Sequence, residues 1–572
     1  MRYRKPKLLF IINYQNKSVR KANFMREHYE ILIKDAERRA KKALRFQVND
    51  LASVKDGGFK DSKNVIQPKF AIYRVVNLAA VYMNKESALY GNEGIKNAII
   101  RGLNYIKREQ RQNGTFDLVD CNFYSGPDTA FCIKRLLPFY KYVLKNPDTI
   151  GVSDFKDILK DIIYSGMCGM VTCGFHTPNH RWAIASNLLE GYRLFGNKEF
   201  FDRANEYLAE GIDCTGDGEY AERSAGNYNR INNDAMITIG EILGEEKYID
   251  CAERNLTMML TYIEPDDSIF TNNSTRQDRG VVIYPRDYYF EYLYMGVKRS
   301  NHKFLMAANH IMEVNKRENH FPEFLINYML YPELIDTECD ESGIATTYDA
   351  FYKESGIVRR RKDNWSYTII NNATNFVWFK NGDLCLSLKI GASFCEHRAF
   401  KSETLEKNGN SYDLHETMRG WYYLPFGKNI GTTDWWKMDN PNTREKLLGP
   451  DLNFDVTVTE IEDGLSVNIK ASGVDRAPLR LELAFDAGCD VVSDNFNVSG
   501  LAGECMTVKN GMITATKGDY AIEVGPAFYA HDFVAGKFGS EGRSPQCFTI
   551  YFTENTEFEK TITIKAKDGI MY

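Results

Sequence analysis

The stretch Thr177 to Asp234 reads TPNHRWAIASNLLEGYRLFGNKEFFDRANEYLAEGIDCTGDGEYAERSAGNYNRINND. It opens on Asn179 and His180, side by side where a helix starts. The apolar spacing of Trp182, Ile184, Leu188, Leu189 and Tyr192 then carries that helix to about residue 195. Gly196-Asn197 marks a stop, and a second amphipathic helix is expected over 198–212. The loop that follows, Asp217 to Arg230, crowds acids, arginines, amides and tyrosines more densely than a plain turn needs. Such loops, held by rigid helices, are where sites are commonly built.

Working outward, the same pattern repeats. A charged helix is expected over about 17–46, closed by Gly57-Gly58. Amphipathic helices are then expected near 69–86, 93–111, 128–145, 153–170, 180–195, 198–212, 230–243, 246–262, 285–298, 300–316 and 321–331. Gly114, Gly196 and Gly244 supply stop signals. The pairs are helical hairpins without a fixed repeat length. Hairpins in this number close into an α/α toroid, an incomplete barrel with a groove at one end. After Tyr348 the period changes. Residues 365–395 alternate as strands, with Asn381-Gly382 expected as a two-residue hairpin turn and further hairpins at Asp463-Gly464 and Asn510-Gly511. The expected class is therefore multidomain α+β, with an α/α toroid over 1–345 and an antiparallel β-sandwich over 346–572.

Composition narrows the function. A chain of 572 residues exceeds one compact core, so two domains are the prior. The net charge of −5 gives no global field for a polyanion, so an acidic ligand must be met by a local cluster and nucleic acid is not an expected partner. Aromatic residues make up 13%, which suits sugar-binding platforms and a large core equally. The N-terminal run Leu8-Leu9-Phe10-Ile11-Ile12 is shorter than a signal peptide requires, and no apolar run approaches the roughly 18 residues of a membrane span. The expected location is the cytoplasm, or outside it if a leader has been trimmed. Twelve cysteines lack framework or zinc spacing; reduced thiols are expected, with no metal and no cofactor.

The two ends of the opening stretch suit removal of a proton next to a carboxylate. Asn179, His180 or an arginine can neutralise the carboxylate while Tyr228 moves a proton. Removing one charge-relieving donor typically costs roughly 100-fold or more. An isolated tyrosine titrates near about 10, so it gives a proton readily but serves as a base only beside cations. Arg181, Arg223 and Arg230 are close in sequence. Each residue also suits a structural job: Asn179 as a helix cap, His180 as a packing residue, Tyr228 as a rim aromatic.

The positions Asn179-His180, Leu188-Leu189, Gly191, Leu194-Phe195, Asp217-Gly218, Glu222-Arg223-Ser224 and Tyr228 resemble the active-site signature of the heparinase II/III and alginate-lyase group of polysaccharide lyases. The motif covers about 60 residues; the expected toroid-plus-β order resembles that group over most of the chain. The resemblance implies β-elimination on a uronic-acid-containing polysaccharide or oligosaccharide. It implies that Asn179 and His180 neutralise the uronate carboxylate and that Tyr228 protonates the leaving oxygen. A histidine or tyrosine, partly from the β domain, would remove the C5 proton. His397 is the candidate there, although the repeated-histidine strand of some relatives is absent, so Tyr228 is the alternative base.

Further substrate-binding candidates are Asn122 and Tyr124 in the 113–126 segment, Arg276 and Arg279 in the 272–279 segment, Glu222 in the loop, and His415 and Tyr422 in the β region. For the two loop segments a solvated loop is an equal reading. Two other functions stay open. An α/α-toroid glycoside hydrolase would use opposed carboxylates from Asp217, Glu219, Glu222 or Asp234, and a non-catalytic glycan-binding protein would keep only the groove. The expected partner is an acidic glycan, with no membrane; a homodimer is the self-association to test.

Overall fold

The computed structural model describes residues 24–339, 343–438, 444–534 and 542–569. The basic N-terminal run and the first residues of the expected 17–46 helix lie outside them. The first helix described, α1, spans Phe24–Leu44. Eleven more follow: α2 Pro68–Met83, α3 Glu93–Glu109, α4 Gly126–Lys145, α5 Val152–Val171, α6 Pro178–Phe195, α7 Lys198–Ala209, α8 Tyr228–Leu243, α9 Glu246–Leu260, α10 Tyr289–Lys298, α11 His302–Glu318 and α12 Leu325–Leu330. Their ends follow local chemistry. Asn92 accepts the Ile95 N–H at the start of α3, and Ser125 accepts the Asp128 N–H at the start of α4. Gly196 and Gly244 end α6 and α8 in the left-handed conformation. Gly114 ends no helix; α3 stops at Glu109.

Twenty strands complete the chain. A short hairpin, β1 Phe116–Leu118 and β2 Asn122–Ser125, precedes α4. The strands β3 Thr347–Tyr352, β4 Ile357–Lys362, β5 Trp365–Ile370, β6 Val377–Asn381, β7 Leu384–Phe394 and β8 His397–Ala399 run on by antiparallel pairing. Then come β9 Thr404–Asn408, β10 Ser411–Tyr423, β11 Lys446–Ile461, β12 Gly464–Ser472, β13 Pro478–Asp486, β14 Asp490–Ser493 and β15 Phe496–Ser499. The last are β16 Cys505–Thr507, β17 Ile513–Lys517, β18 Tyr520–Gly525, β19 Cys547–Asn555 and β20 Phe558–Asp568. One sheet runs β15-β14-β17-β18-β20-β12-β11-β10-β9, the other β16-β19-β13-β7-β6-β5-β4-β3, with β8 on β7. Alternate side chains from both meet in one apolar core that includes Phe379, Leu386, Leu388, Phe454, Val456, Val467 and Ile562. The β16–β19 pair is parallel, the exception to the antiparallel expectation.

Three expected turns differ. Asn381 pairs with Leu384, so the first loop is Gly382-Asp383; Ile461 pairs with Gly464, so the second is Glu462-Asp463. Asn510-Gly511 joins β16 to β17, which belong to different sheets, and makes no hairpin.

The change from helices to strands falls between Leu334 and Thr347, but compactness divides the chain differently. One unit comprises residues up to Ala209 together with Arg286–Ile344; the other comprises Glu210–Pro285 and Ala345 onward. The first holds the hairpins α2–α3, α4–α5, α6–α7 and α10–α11, the second the hairpin α8–α9 and both large sheets. Within the first unit α6 is enclosed on nearly every side: Trp182, Ala183, Ile184, Ala185, Leu188 and Leu189 are all inaccessible. Tyr192, expected in that apolar stripe, instead lies exposed against Phe201. Within the second unit Arg359 of β4 is fully buried. Its guanidinium pairs with Glu264 at 2.7 Å, donates to the Thr261 carbonyl at 2.9 Å and lies 4.6 Å over the Phe270 ring.

A buried carboxyl also sets a pH response in this unit. Glu416 on β10 accepts the Lys401 N–H at 2.5 Å, and burial pushes its pKa up to about 7. The folded chain then holds that proton more tightly than the unfolded one. The stabilisation is complete below the ordinary carboxyl value of 4.5 and is lost as pH rises through about 7. Thermal melting from about pH 5 to about pH 8 is expected to show a falling Tm, and Glu416→Gln to flatten that fall. An equal slope in the variant would contradict it.

Candidate functional site

In the first unit, the N-terminal ends of α4 and α6 come together. Gly126, the first residue of α4, is pressed so closely against the segment before α6 that a Cβ there would lie 1.9 Å from the Cys173 Sγ. That contact sets the β1–β2 hairpin beside the loop leading into α6. Asn122 donates to Asp128 at 3.1 Å, and Ser125 donates to the same carboxylate at 2.6 Å. Tyr124 is exposed, with the Arg111 guanidinium 4.8 Å from its ring. On α6, Pro178 takes the first turn, where its missing N–H costs nothing. Asn179 is fully buried and its amide donates to the Thr177 hydroxyl at 2.9 Å. His180 is partly exposed and sits edge-on to Phe131 of α4, at 5.8 Å between rings, and to His176, at 6.3 Å. Arg181 lies over Trp182. Thus Asn122, Tyr124, Asn179 and His180 gather at one end of this unit.

In the second unit, the loop before α8 is built by hydrogen bonds to its own neighbours. Gly218 has φ +100°, and a Cβ there would meet the Arg254 backbone at 2.6 Å, so glycine is required for the loop to pass α9. Asn255 of α9 donates to the Gly218 carbonyl at 2.8 Å, and its Oδ1 accepts from Asn233 of α8, which in turn accepts the Tyr220 phenol. Asp217 accepts the backbone N–H groups of Glu354 and Ser355 at 2.8 and 3.0 Å. Glu219, 3% exposed, accepts from Tyr262 and Asn273 and pairs with Arg223 at 3.3 Å. Burial raises its carboxyl above the usual value, against the opposing pull of Arg223.

These anchors lead to Tyr228, the first residue of α8. Buried Asp278 accepts the Ser224 and Ser274 hydroxyls at 2.9 and 2.6 Å and the Gly226 N–H at 2.9 Å. Ser224 Oγ in turn accepts the Tyr228 N–H at 3.1 Å, which starts the helix. Gln277 Nε2 donates to the Tyr228 Oη at 2.6 Å, and the Arg276 guanidinium lies 5.4 Å from the ring centre. Arg276 is itself paired with Glu222 at 3.3 Å. With its oxygen already accepting from Gln277, the phenol keeps its own O–H to give away.

Of the sequence candidates, Glu222, Arg276 and Tyr228 are brought together directly, whereas Arg223 pairs with Glu219. Arg230 lies two residues further along α8, and Arg279 is exposed at the end of its loop. The β-region candidates have partners of their own. His397 Nε2 faces the Arg419 carbonyl at 3.3 Å. A carbonyl only accepts, so Nε2 is the donor in that contact. His415 is bonded at both nitrogens, to Asp455 at 2.8 Å and Thr417 at 3.1 Å; Tyr422 is exposed. The residues missed by sequence reasoning are Gln277, Asp278 and Asn273. Gln277 and Asp278 stand between the two flagged arginines, and that adjacency was the available signal. Among the described residues no cluster of His, Cys, Asp and Glu is arranged for a metal, no helix is long and apolar enough to cross a membrane, and the twelve cysteines are free thiols.

No family model matches the chain, and no curated protein matches it in sequence. Solved structures do. The heparan sulfate lyase HepC of Pedobacter heparinus, in a mutant form, superposes with a TM-score of 0.52 at 12% identity, covering 96% of this chain and 88% of that one. The chondroitin AC lyase of Streptomyces coelicolor A3, in complex with chondroitin sulphate, gives 0.51 at 10% identity over 95% and 82%. A Paenibacillus xanthan lyase gives 0.55 at 8% identity over 95% of this chain but 57% of its own. The chain shares the fold of these structures, an α/α toroid followed by β-sheets. The helices followed by β-sheets match that architecture along nearly the whole length.

Replacing Asp278 by alanine tests how Tyr228 is held. Two buried hydroxyls and the part-buried Gly226 N–H would lose their acceptor, at about 1–3 kcal/mol for each buried one left unsatisfied. The expected result is a lower Tm, with loss of the ordered start of α8 read by hydrogen exchange at Gly226 and Tyr228. Unchanged protection at those amides would show that Asp278 does not hold the loop.

Proposed function

We propose that this protein is a lyase that cleaves a uronic-acid-containing polysaccharide or oligosaccharide by β-elimination. The observation that carries the reading is the hydrogen bond from Gln277 into the Tyr228 oxygen, with Arg276 against the ring. Because the phenolic oxygen accepts in that bond, its own O–H is not used there, which supports Tyr228 as the acid that protonates the leaving glycosidic oxygen. The structural neighbours, whose names describe lyases of heparan sulfate, chondroitin and xanthan, support the same class.

Elimination begins at a C–H bond next to a carboxylate, and its charge must be relieved as it forms. Asn179 and His180 are the proposed neutralising pair, with His180 on the accessible side and Asn179 holding the turn through Thr177. Arg181, Arg223, Arg230, Arg276 and Arg279 are proposed to grip acidic sugars, with Asn122, Tyr124, Glu222, His415 and Tyr422 completing the contacts. For the base, His397 is the proposed residue, and Tyr228 is the alternative. The second reading, a hydrolase, is disfavoured by the fate of three of its four candidate acids. Asp217 is spent on two backbone N–H groups, Glu219 is buried under Tyr262 and Asn273, and Glu222 is paired with Arg276.

The test is ultraviolet absorbance during incubation with alginate, glucuronan, heparan, chondroitin, hyaluronan and pectic fragments, short oligomers included. A rise from the conjugated 4,5-unsaturated product is expected on one of them. Tyr228→Phe is expected to lower kcat by roughly 100-fold or more while binding is largely kept. New reducing ends without that absorbance would overturn elimination. His397→Ala with full activity would leave Tyr228 as both base and acid.

A further inference from the structure

At one end of the β-sandwich the two sheets leave a polar pocket of about 430 Å3, a volume within the range of small-molecule sites. Asp349, Arg360 and Tyr367 face one another across β3, β4 and β5 and so share one face of their sheet. Lys407 and Tyr412 are paired in the same way across β9 and β10 of the other sheet. Glu460, near the end of β11, takes Arg360 and Lys362 at 2.9 Å each and the Tyr367 phenol at 3.0 Å. Asp349 takes Lys407 at 3.3 Å and the Tyr412 phenol at 3.5 Å. Both tyrosines are buried, 2% and 3% exposed, so their hydroxyls form a floor between charged walls.

We propose that this pocket is a second, non-catalytic glycan site that binds an uncharged pyranose unit through its hydroxyl groups. Three cations, Arg360, Lys362 and Lys407, stand against three carboxylates, Asp349, Glu460 and Glu462, so the lining has no net charge to attract an ion. What it offers is a dense set of fixed donors and acceptors. Carboxylates, guanidinium and phenols spaced across strands match the alternating donor and acceptor oxygens of a sugar ring. Charge-assisted hydrogen bonds of this kind are about twice as strong as neutral ones. The pairs close on one another along the walls, Arg360 and Lys362 on Glu460 and Lys407 on Asp349, and the two sets line the space between them. The site lies wholly in the second unit, and its ligand need not be a uronate, so it stands whether cleavage is elimination or hydrolysis.

Saturation-transfer NMR on the full chain tests it, with methyl glucoside, N-acetylglucosamine and cellobiose as neutral probes and glucuronate as the charged one. Transfer to at least one neutral probe is expected. Its affinity should fall at least tenfold in Lys407→Ala and in Tyr412→Phe, and persist in Tyr228→Phe. Lys362→Ala, at the rim, gives the same reading should either of the first two fail to fold. No transfer to any neutral probe, transfer to glucuronate alone, or transfer unchanged by all three pocket substitutions would overturn the proposal. Loss of the ultraviolet product signal would bear only on elimination.

Discussion

A guanidinium without exposure to water is the constraint on which the second unit is built. Arg359 would be costly to bury alone, and it is tolerated because Glu264, the Thr261 carbonyl and the faces of Phe270 and Tyr262 surround it. Removing one partner of such a pair costs about 3–5 kcal/mol, because the other is left charged and dry. The pair therefore fastens the chain between Thr261 and Phe270 to β4, and Ser366 of β5 adds a 2.6 Å bond to the same glutamate.

From that fastening the order passes toward the chemistry. Tyr262, packed under Arg359, donates to Glu219; Glu219 holds Arg223 and Asn273. The loop after Asn273 supplies Asp278 to Ser224 and Gly226, and Gln277 to the Tyr228 phenol. Tyr228 is thus placed by a loop whose inner anchors, Glu219, Ser224 and Asp278, are buried and hydrogen-bonded, while Gln277 reaches its phenol from the exposed side. At the other end of the motif, Asn179 and Thr177 hold the first turn of α6 and leave His180 accessible.

Much of this was legible in the residues. Helix bounds followed from apolar spacing because each helix buries one face against its hairpin partner, and the switch to strands followed from the change of period after Tyr348. Turn positions slipped by one residue at Asn381-Gly382 and Asp463-Gly464, since a turn dipeptide does not reveal which neighbour is still paired; Asn381 is held in β6 by Leu384. The Asn510-Gly511 turn was misread for a different reason. Which sheet a strand joins is decided by distant partners. The same holds for residues 210–285, whose helical period says nothing of Arg359, and for Gln277, whose role depends on a phenol 49 positions away.

The central claim is that the glycosidic bond is broken without water entering the product. Cleavage of a uronate oligosaccharide in water carrying the heavy oxygen isotope, followed by mass spectrometry of the fragments, tests it most directly. The account predicts that the fragments carry no isotope from solvent at the cleaved position and sum to the mass of the substrate. Incorporation of one labelled oxygen at each new reducing end would contradict it and identify a hydrolase.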